Sequence, residues 1–123
     1  MPDQPVDLPA GPIYRIDKFA VPAAARDAFL AAVAETHAVL RRQPGFRGDR
    51  VVEQCGGPGR FNFVTLVEWA GAEAIEAAAA AVRQRHAALG LDPRALIEAA
   101  GIEADLALYR AVALPLPAPQ IPA

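Results

Sequence analysis

Phe61 to Trp69 reads FNFVTLVEW, and the way this stretch is covered sets the fold. It is a β-branched and aromatic run, too short for a buried helix, and Gly56-Gly57-Pro58-Gly59 fences it off upstream. Alternation puts Phe61, Phe63, Val67 and Trp69 on one face, and Val64 and Leu66 on the other. A strand with two apolar faces needs cover on both sides. One face is expected to meet helices of this chain. The other needs a second supplier, and in so small a protein that is another copy of the chain. The stretch reads as the central strand of a sheet that dimerises.

Working outward, Ile13 to Val21 predicts a first strand, with Tyr14, Ile16 and Ala20 on one face and Ile13, Phe19 and Val21 on the other. Pro22 stops it and suits a helix start. Ala23 to Gln43 follows with helical spacing, its inner stripe being Phe29, Val33, His37 and Leu40, until Pro44-Gly45 ends it. Phe46 to Cys55 is a more polar strand and so belongs near a sheet edge. It is joined to the central strand through the glycine-rich loop as a hairpin. After Trp69, Ala72 to Leu89 predicts a second helix with Ile75, Ala78, Ala79, Val82, His86 and Leu89 inside. Its alanine run brings the backbone close to a neighbour or leaves a space. Asp92-Pro93 caps a short third helix ending at Gly101, and Ile102 to Val112 contains the last strand. The order β-α-β-β-α-(α)-β is α+β and ferredoxin-like. Both main helices then lie on one face of a four-stranded antiparallel sheet.

The 123 residues make one domain at 13–112, between proline-rich arms at 1–12 and 113–123. The arms read as extended segments, either loose or, at the C-terminal end, laid across a partner subunit. A net charge of -2 gives no nucleic-acid footprint and no polybasic membrane patch. The lone Cys55 excludes an internal disulfide and a multi-cysteine zinc site. No window approaches the ~18 apolar residues of a membrane span. With no signal-peptide pattern in MPDQPVDLPAGP, a cytoplasmic protein is expected.

Three stretches together resemble the antibiotic biosynthesis monooxygenase domain, within the dimeric α+β barrel group. They are FAVPAAARDAFLAAV, the QPGF corner at Gln43 to Phe46, and VEWAGAEAIEAAAAAV. The resemblance covers about residues 13–112. It implies a homodimer whose sheets face each other, with a pocket in each subunit between helices and sheet. It also implies oxygenation of an aromatic or polyketide-type substrate by molecular oxygen, without metal or flavin. In quinone-forming members, a strand-end Trp works with an Asn four residues earlier and a Tyr six residues later. Trp69 is kept here, but those positions hold Thr65 and Ile75. Haem-degrading members place a Trp and a His on the second helix where this chain has Ala78 and Ala88. Their first-strand Asn aligns with Asp17. Haem degradation is therefore disfavoured.

Three residues are candidates for chemistry. His37 and His86, the only histidines, sit on the inner stripes of their helices, where a polar side chain is unusual. Either could be a general base that deprotonates a phenol, whose phenolate reacts with oxygen. The competing reading is a packed histidine bonded to backbone or water. Counting residues along antiparallel helices sets the two roughly 12 Å apart, too far to act together. With no carboxylate at helical spacing beside them, no metal site is expected. Trp69 could stack on an aromatic substrate or simply fill the barrel end. Phe29, Val33, Phe63, Thr65, Ala78 and Val82 are expected to line the pocket, made roomy by the second helix's alanines. The alternative is a non-catalytic dimeric barrel that binds a small apolar ligand or none. In that case the histidines would be packed against protein and no space would remain.

Overall fold

β3 (Phe63–Trp69) alternates as its sequence requires: Phe63, Thr65, Val67 and Trp69 are buried, while Val64, Leu66 and Glu68 are half-buried. The computed structural model describes residues 10–118. Around β3 the elements run β1 (Ile13–Ala20), a 3-10 turn at Ala23–Ala25, α1 (Arg26–Leu40) and β2 (Phe46–Glu53). After β3 come α2 (Ala72–Ala88), α3 (Pro93–Ala99) and β4 (Glu103–Tyr109). All pairings are antiparallel and the strand order is β2-β3-β1-β4, a ferredoxin-like α+β sheet with β2 at one edge. The proline-rich stretch 1–12 lies mostly outside the described residues, and so do 119–123. Residues 110–118 follow β4 without regular structure.

Boundaries move for local reasons. The central strand opens at Phe63 rather than Phe61, because Asn62 is used as a clip. Its side chain accepts from the Val21 N–H (2.7 Å) and donates to the Val21 carbonyl (2.9 Å). Three residues after Pro22 wind as a 3-10 turn, closed by Ala25 N–H to the Pro22 carbonyl at 2.9 Å, before α1 begins. At the far end, Arg42 and Gln43 donate back to Val39 and Leu40, a tightening that ends the helix before Pro44.

The QPGF corner then docks on the start of α2. Ala70 N–H donates to the Gly45 carbonyl at 2.8 Å. Gly45 is in the left-handed region (φ 85°), and a Cβ there would lie 2.5 Å from the Ala74 Cβ. One residue later the β2–β3 register slips. Phe46 pairs with Trp69 and Gly48 with Glu68, so an extra residue sits on β2 between them. Beyond this β-bulge the odd residues of β2, Asp49 among them, face the helices.

The helix-covered face holds two apolar clusters. Phe19, Val21, Phe29 and Phe63 pack at one end with Leu30, Val33 and Ile102. Val67, Trp69 and Ala78 pack at the other with Leu40, Phe46, Ala74 and Ile75. The alanines at 74 and 78 let α2 settle close on the sheet. On the opposite face Tyr14, Ile16, Val64 and Leu66 are half-buried, and Val52, paired with Val64, is 48% exposed.

Replacing Gly45 by Ala is expected to cost about 2–4 kcal/mol, from backbone strain plus overpacking against Ala74. Chemical denaturation checks this. An unchanged midpoint would mean that the corner can move off α2 freely.

Candidate functional site

Between the two clusters the inner face turns polar. One register row crosses the sheet as Val51, Thr65, Asp17 and Leu106. Above it lies a cavity of about 300 Å³, floored by Phe19, Asp17 and Thr65. One wall is α1, through Ala28, Phe29, Ala32, Val33, Thr36 and His37. The other is α3 with its flanks, through Leu91, Pro93, Leu96, Ile97, Ala100 and Ile102, and His86 enters from α2. The space comes from α1's alanines and the stand-off of α3. This corrects the expectation that the alanines of α2 make the room.

His37 is 8% exposed, and its Nδ1 lies 2.9 Å from Asp49 Oδ2. Asp49 also accepts from Arg41 Nε at 2.8 Å and Arg41 Nη2 at 3.1 Å. The Arg41 hydrogen bond holds the Asp49 carboxyl below its usual range; burial pushes the other way and His37 adds to the lowering. An ionised carboxylate can only accept, so His37 Nδ1 carries the proton and donates it. In the neutral ring the other nitrogen, Nε2, is then the acceptor. This is the arrangement of an oriented general base.

His86 Nε2 lies 3.4 Å from Thr36 Oγ1, next to the Arg85–Glu35 ion pair at 2.8 Å. The two histidines therefore do not sit at opposite ends. Counting along antiparallel helices assumed that the start of each lies level with the end of the other. Instead the C-terminal half of α2 runs beside Glu35 and Thr36, and both imidazoles reach one cavity. Asp17 on the floor accepts from Arg15 Nε at 2.6 Å. Burial raises its carboxyl pKa, against the hydrogen bonds from Arg15 and the Ala107 backbone.

Of the residues expected at the site, His37, His86, Phe29, Val33 and Thr65 share the cavity. Trp69, Phe63, Ala78 and Val82 are not on its wall. Trp69 is 2% exposed and meets Phe46 edge-on at 5.8 Å, so it fills the end of the core. Phe63 is held against Phe29, ring centroids 5.2 Å apart, and Ala78 is packed with Val67 and Trp69. Sequence reading missed Asp49 as the partner of His37, because the bulge reverses the alternation that would have pointed Asp49 away. It also missed α3 as a wall, although Leu91, Leu96 and Ile97 gave an apolar signal. Among the described residues, no three His, Cys, Asp or Glu side chains converge as metal ligands. None of the described helices is long and apolar enough to cross a membrane.

Residues 12–88 match the family model described as antibiotic biosynthesis monooxygenase. Solved structures with this fold include a Shewanella loihica PV-4 protein named for a proposed monooxygenase activity. It is 20% identical, with a TM-score of 0.65, covering 85% of this chain and 97% of that one. SnoaB of Streptomyces nogalater, described as a cofactor-independent oxygenase, is 21% identical with a TM-score of 0.59, covering 86% and 98%. A variant of MhuD, solved with two manganese protoporphyrin IX per active site, is 22% identical with a TM-score of 0.64, covering 82% and 95%. At these identities the likeness carries the fold alone. No curated protein matches the chain.

The folded pKa of Asp49 lies below its ordinary 3.8. Its ionised form therefore adds stability above that value, and the contribution is lost as pH falls through the lower, folded pKa. Asp17 is shifted upward, so its protonation on acidification relieves a penalty instead. The stability gap between wild type and Asp49→Asn should close as pH falls below about 4 and Asp49 is protonated. Melting curves across pH measure it, and a gap that persisted undiminished at the acid end would contradict the assignment.

Proposed function

The chain belongs to the antibiotic biosynthesis monooxygenase family, and from that premise we propose that it oxidises a hydroxylated aromatic or polyketide-like molecule with molecular oxygen, using no cofactor. His37 Nε2 takes the phenolic or adjacent C–H proton, and Asp49 steadies the imidazolium that results. The electron-rich anion then reduces oxygen at the activated carbon. A C–O bond forms, the O–O bond breaks with loss of water, and a CH₂ carbon becomes C=O. One O₂ is consumed and one H₂O released, so atoms and electrons balance. The observation that carries this reading is His37, oriented by Asp49, on the wall of a largely apolar cavity. A non-catalytic barrel that binds a small apolar ligand would need the space but no such pair. Haem degradation draws no support from the helix positions where haem-degrading relatives carry Trp and His. Ala78 is packed in the core, and Ala88 is exposed.

The open sheet face is read as the interface of a homodimer. Ile16, Val64, Leu66 and the exposed Val52 form an apolar patch that a second sheet would cover. The C-terminal segment, with Val112, Leu114 and Leu116 at 73%, 67% and 75% exposure, is read as an arm across that partner. A cytoplasmic setting suits the single exposed thiol of Cys55.

Oxygen uptake with a panel of anthrones, naphthols and hydroquinones tests the chemistry. His37→Ala should lower kcat by about 10²–10⁴-fold, the span of a lost general base. Trp69→Phe should change turnover little. Absence of uptake with every substrate overturns the enzyme reading, and full activity in His37→Ala overturns the site. Light scattering should give twice the mass of the chain.

A further inference from the structure

The charges around the cavity are arranged in a way that says which ligands it rejects. Among the described residues, two carboxylates line it, Asp17 and Glu35, and no Lys or Arg does. A third carboxylate, Asp49, stands behind His37. Each has its own arginine: Asp17 takes Arg15 at 2.6 Å, Glu35 takes Arg85 at 2.8 Å, and Asp49 takes Arg41 at 2.8 Å. Every one of those arginines stands outside the wall. The site is thus neutral in pairs, and its cations are already committed. Beyond Thr36, Thr65 and the imidazoles of His37 and His86, the rest of the lining is alanine, phenylalanine, proline and aliphatic side chains.

A neutral hydroxyaromatic meets this arrangement without conflict. If it loses a proton to His37, the charge separates inside the cavity and the net charge does not change. A ligand that arrives as a carboxylate brings one negative charge into a largely apolar space that already faces Asp17 and Glu35 and that no lysine or arginine lines. Desolvating an unpaired charge is costly. We infer that the cavity selects uncharged hydroxyaromatic ligands over their carboxylated analogues, with Asp17 as the specificity-determining residue at its floor. This rests on the proposed oxygenase reading for the ligand's aromatic character, but its test is a binding measurement that requires no turnover.

Asp17 is singled out over Glu35 by position and burial. It projects from the middle strand pair of the sheet, between Thr65 and Leu106 in register, and its side chain is 17% exposed against 38% for Glu35. Replacing it by Asn removes the negative charge at nearly constant shape. It also releases Arg15, which becomes available to an incoming anion.

Titration calorimetry of the full chain at pH 7 with 2-naphthol and with 3-hydroxy-2-naphthoate provides the test. Wild type should bind the naphthol at least about tenfold more tightly, equivalent to about 1.4 kcal/mol. Asp17→Asn should shrink that ratio several-fold, chiefly by improving the carboxylate. Equal affinities in wild type would overturn the selection, and oxygen uptake on neutral substrates would leave the oxygenase reading standing. An unchanged ratio in a folded Asp17→Asn would remove the role of Asp17. No binding of either ligand would overturn the selection and count against the aromatic pocket as well. The wild-type ratio stands as a test even if the variant does not fold.

Discussion

One extra residue in β2 is the constraint on which the site depends. Strand parity is strict: a shift of one residue turns every following side chain to the opposite face. Phe46 must face inward to meet Trp69, and without the slip between Phe46 and Gly48 the next inward residues would be Gly48 and Arg50. With the slip they are Asp49 and Val51. Asp49 thereby comes under α1 within 2.9 Å of His37, while Arg41 from the end of that helix closes over it. Gly48, at φ 152°, supplies a backbone conformation that few other residues would tolerate.

The cavity has a similarly local origin. α2 is brought close by Ala74 and Ala78, so the Trp69 end of the sheet is filled. α1 presents Ala28 and Ala32 over the sheet middle, where Thr65 and Asp17 occupy positions that larger apolar side chains would otherwise fill. The third helix roofs the gap, capped by Asp92, whose side chain accepts from Ala95 N–H at 3.3 Å. Small residues in one helix close a space, and in the other they leave one. The difference is what lies beneath.

This explains what could be read from the sequence. The elements were legible because each has its own local signal: proline and glycine stops, a period of two in Phe63–Trp69, and a capped Asp92-Pro93 start. The edge position of β2 followed from its polarity. The site was legible only in part. His37 and His86 stood out as polar residues on apolar stripes, and Phe29, Val33 and Thr65 came with their faces. The partner of His37 was hidden, because a bulge leaves no clear mark in a pattern of alternating residues. The relative slide of the two helices was hidden too, since helix periodicity fixes which face is inside and says nothing about depth. Trp69 attracted attention as the one tryptophan, yet a strand-end aromatic beside Phe46 has a packing role available to it, and packing is where the structure places it.

The division of labour across the sheet has an energetic logic. Apolar side chains toward its two ends hold the helices, through Phe19, Phe29 and Phe63 on one side and Val67, Trp69 and Ala78 on the other. The row between them carries Asp17 and Thr65, neither of which stabilises a core as a leucine would. The buried Asp17 carboxylate is tolerable there because the half-buried Arg15 answers it at 2.6 Å. Stability thus sits at the ends and polar function in the middle. A site built this way can hold an ionisable base in an apolar space without surrendering the fold, provided that the charges stay paired. That same condition is what makes the cavity hostile to a ligand bringing an unpaired charge of its own.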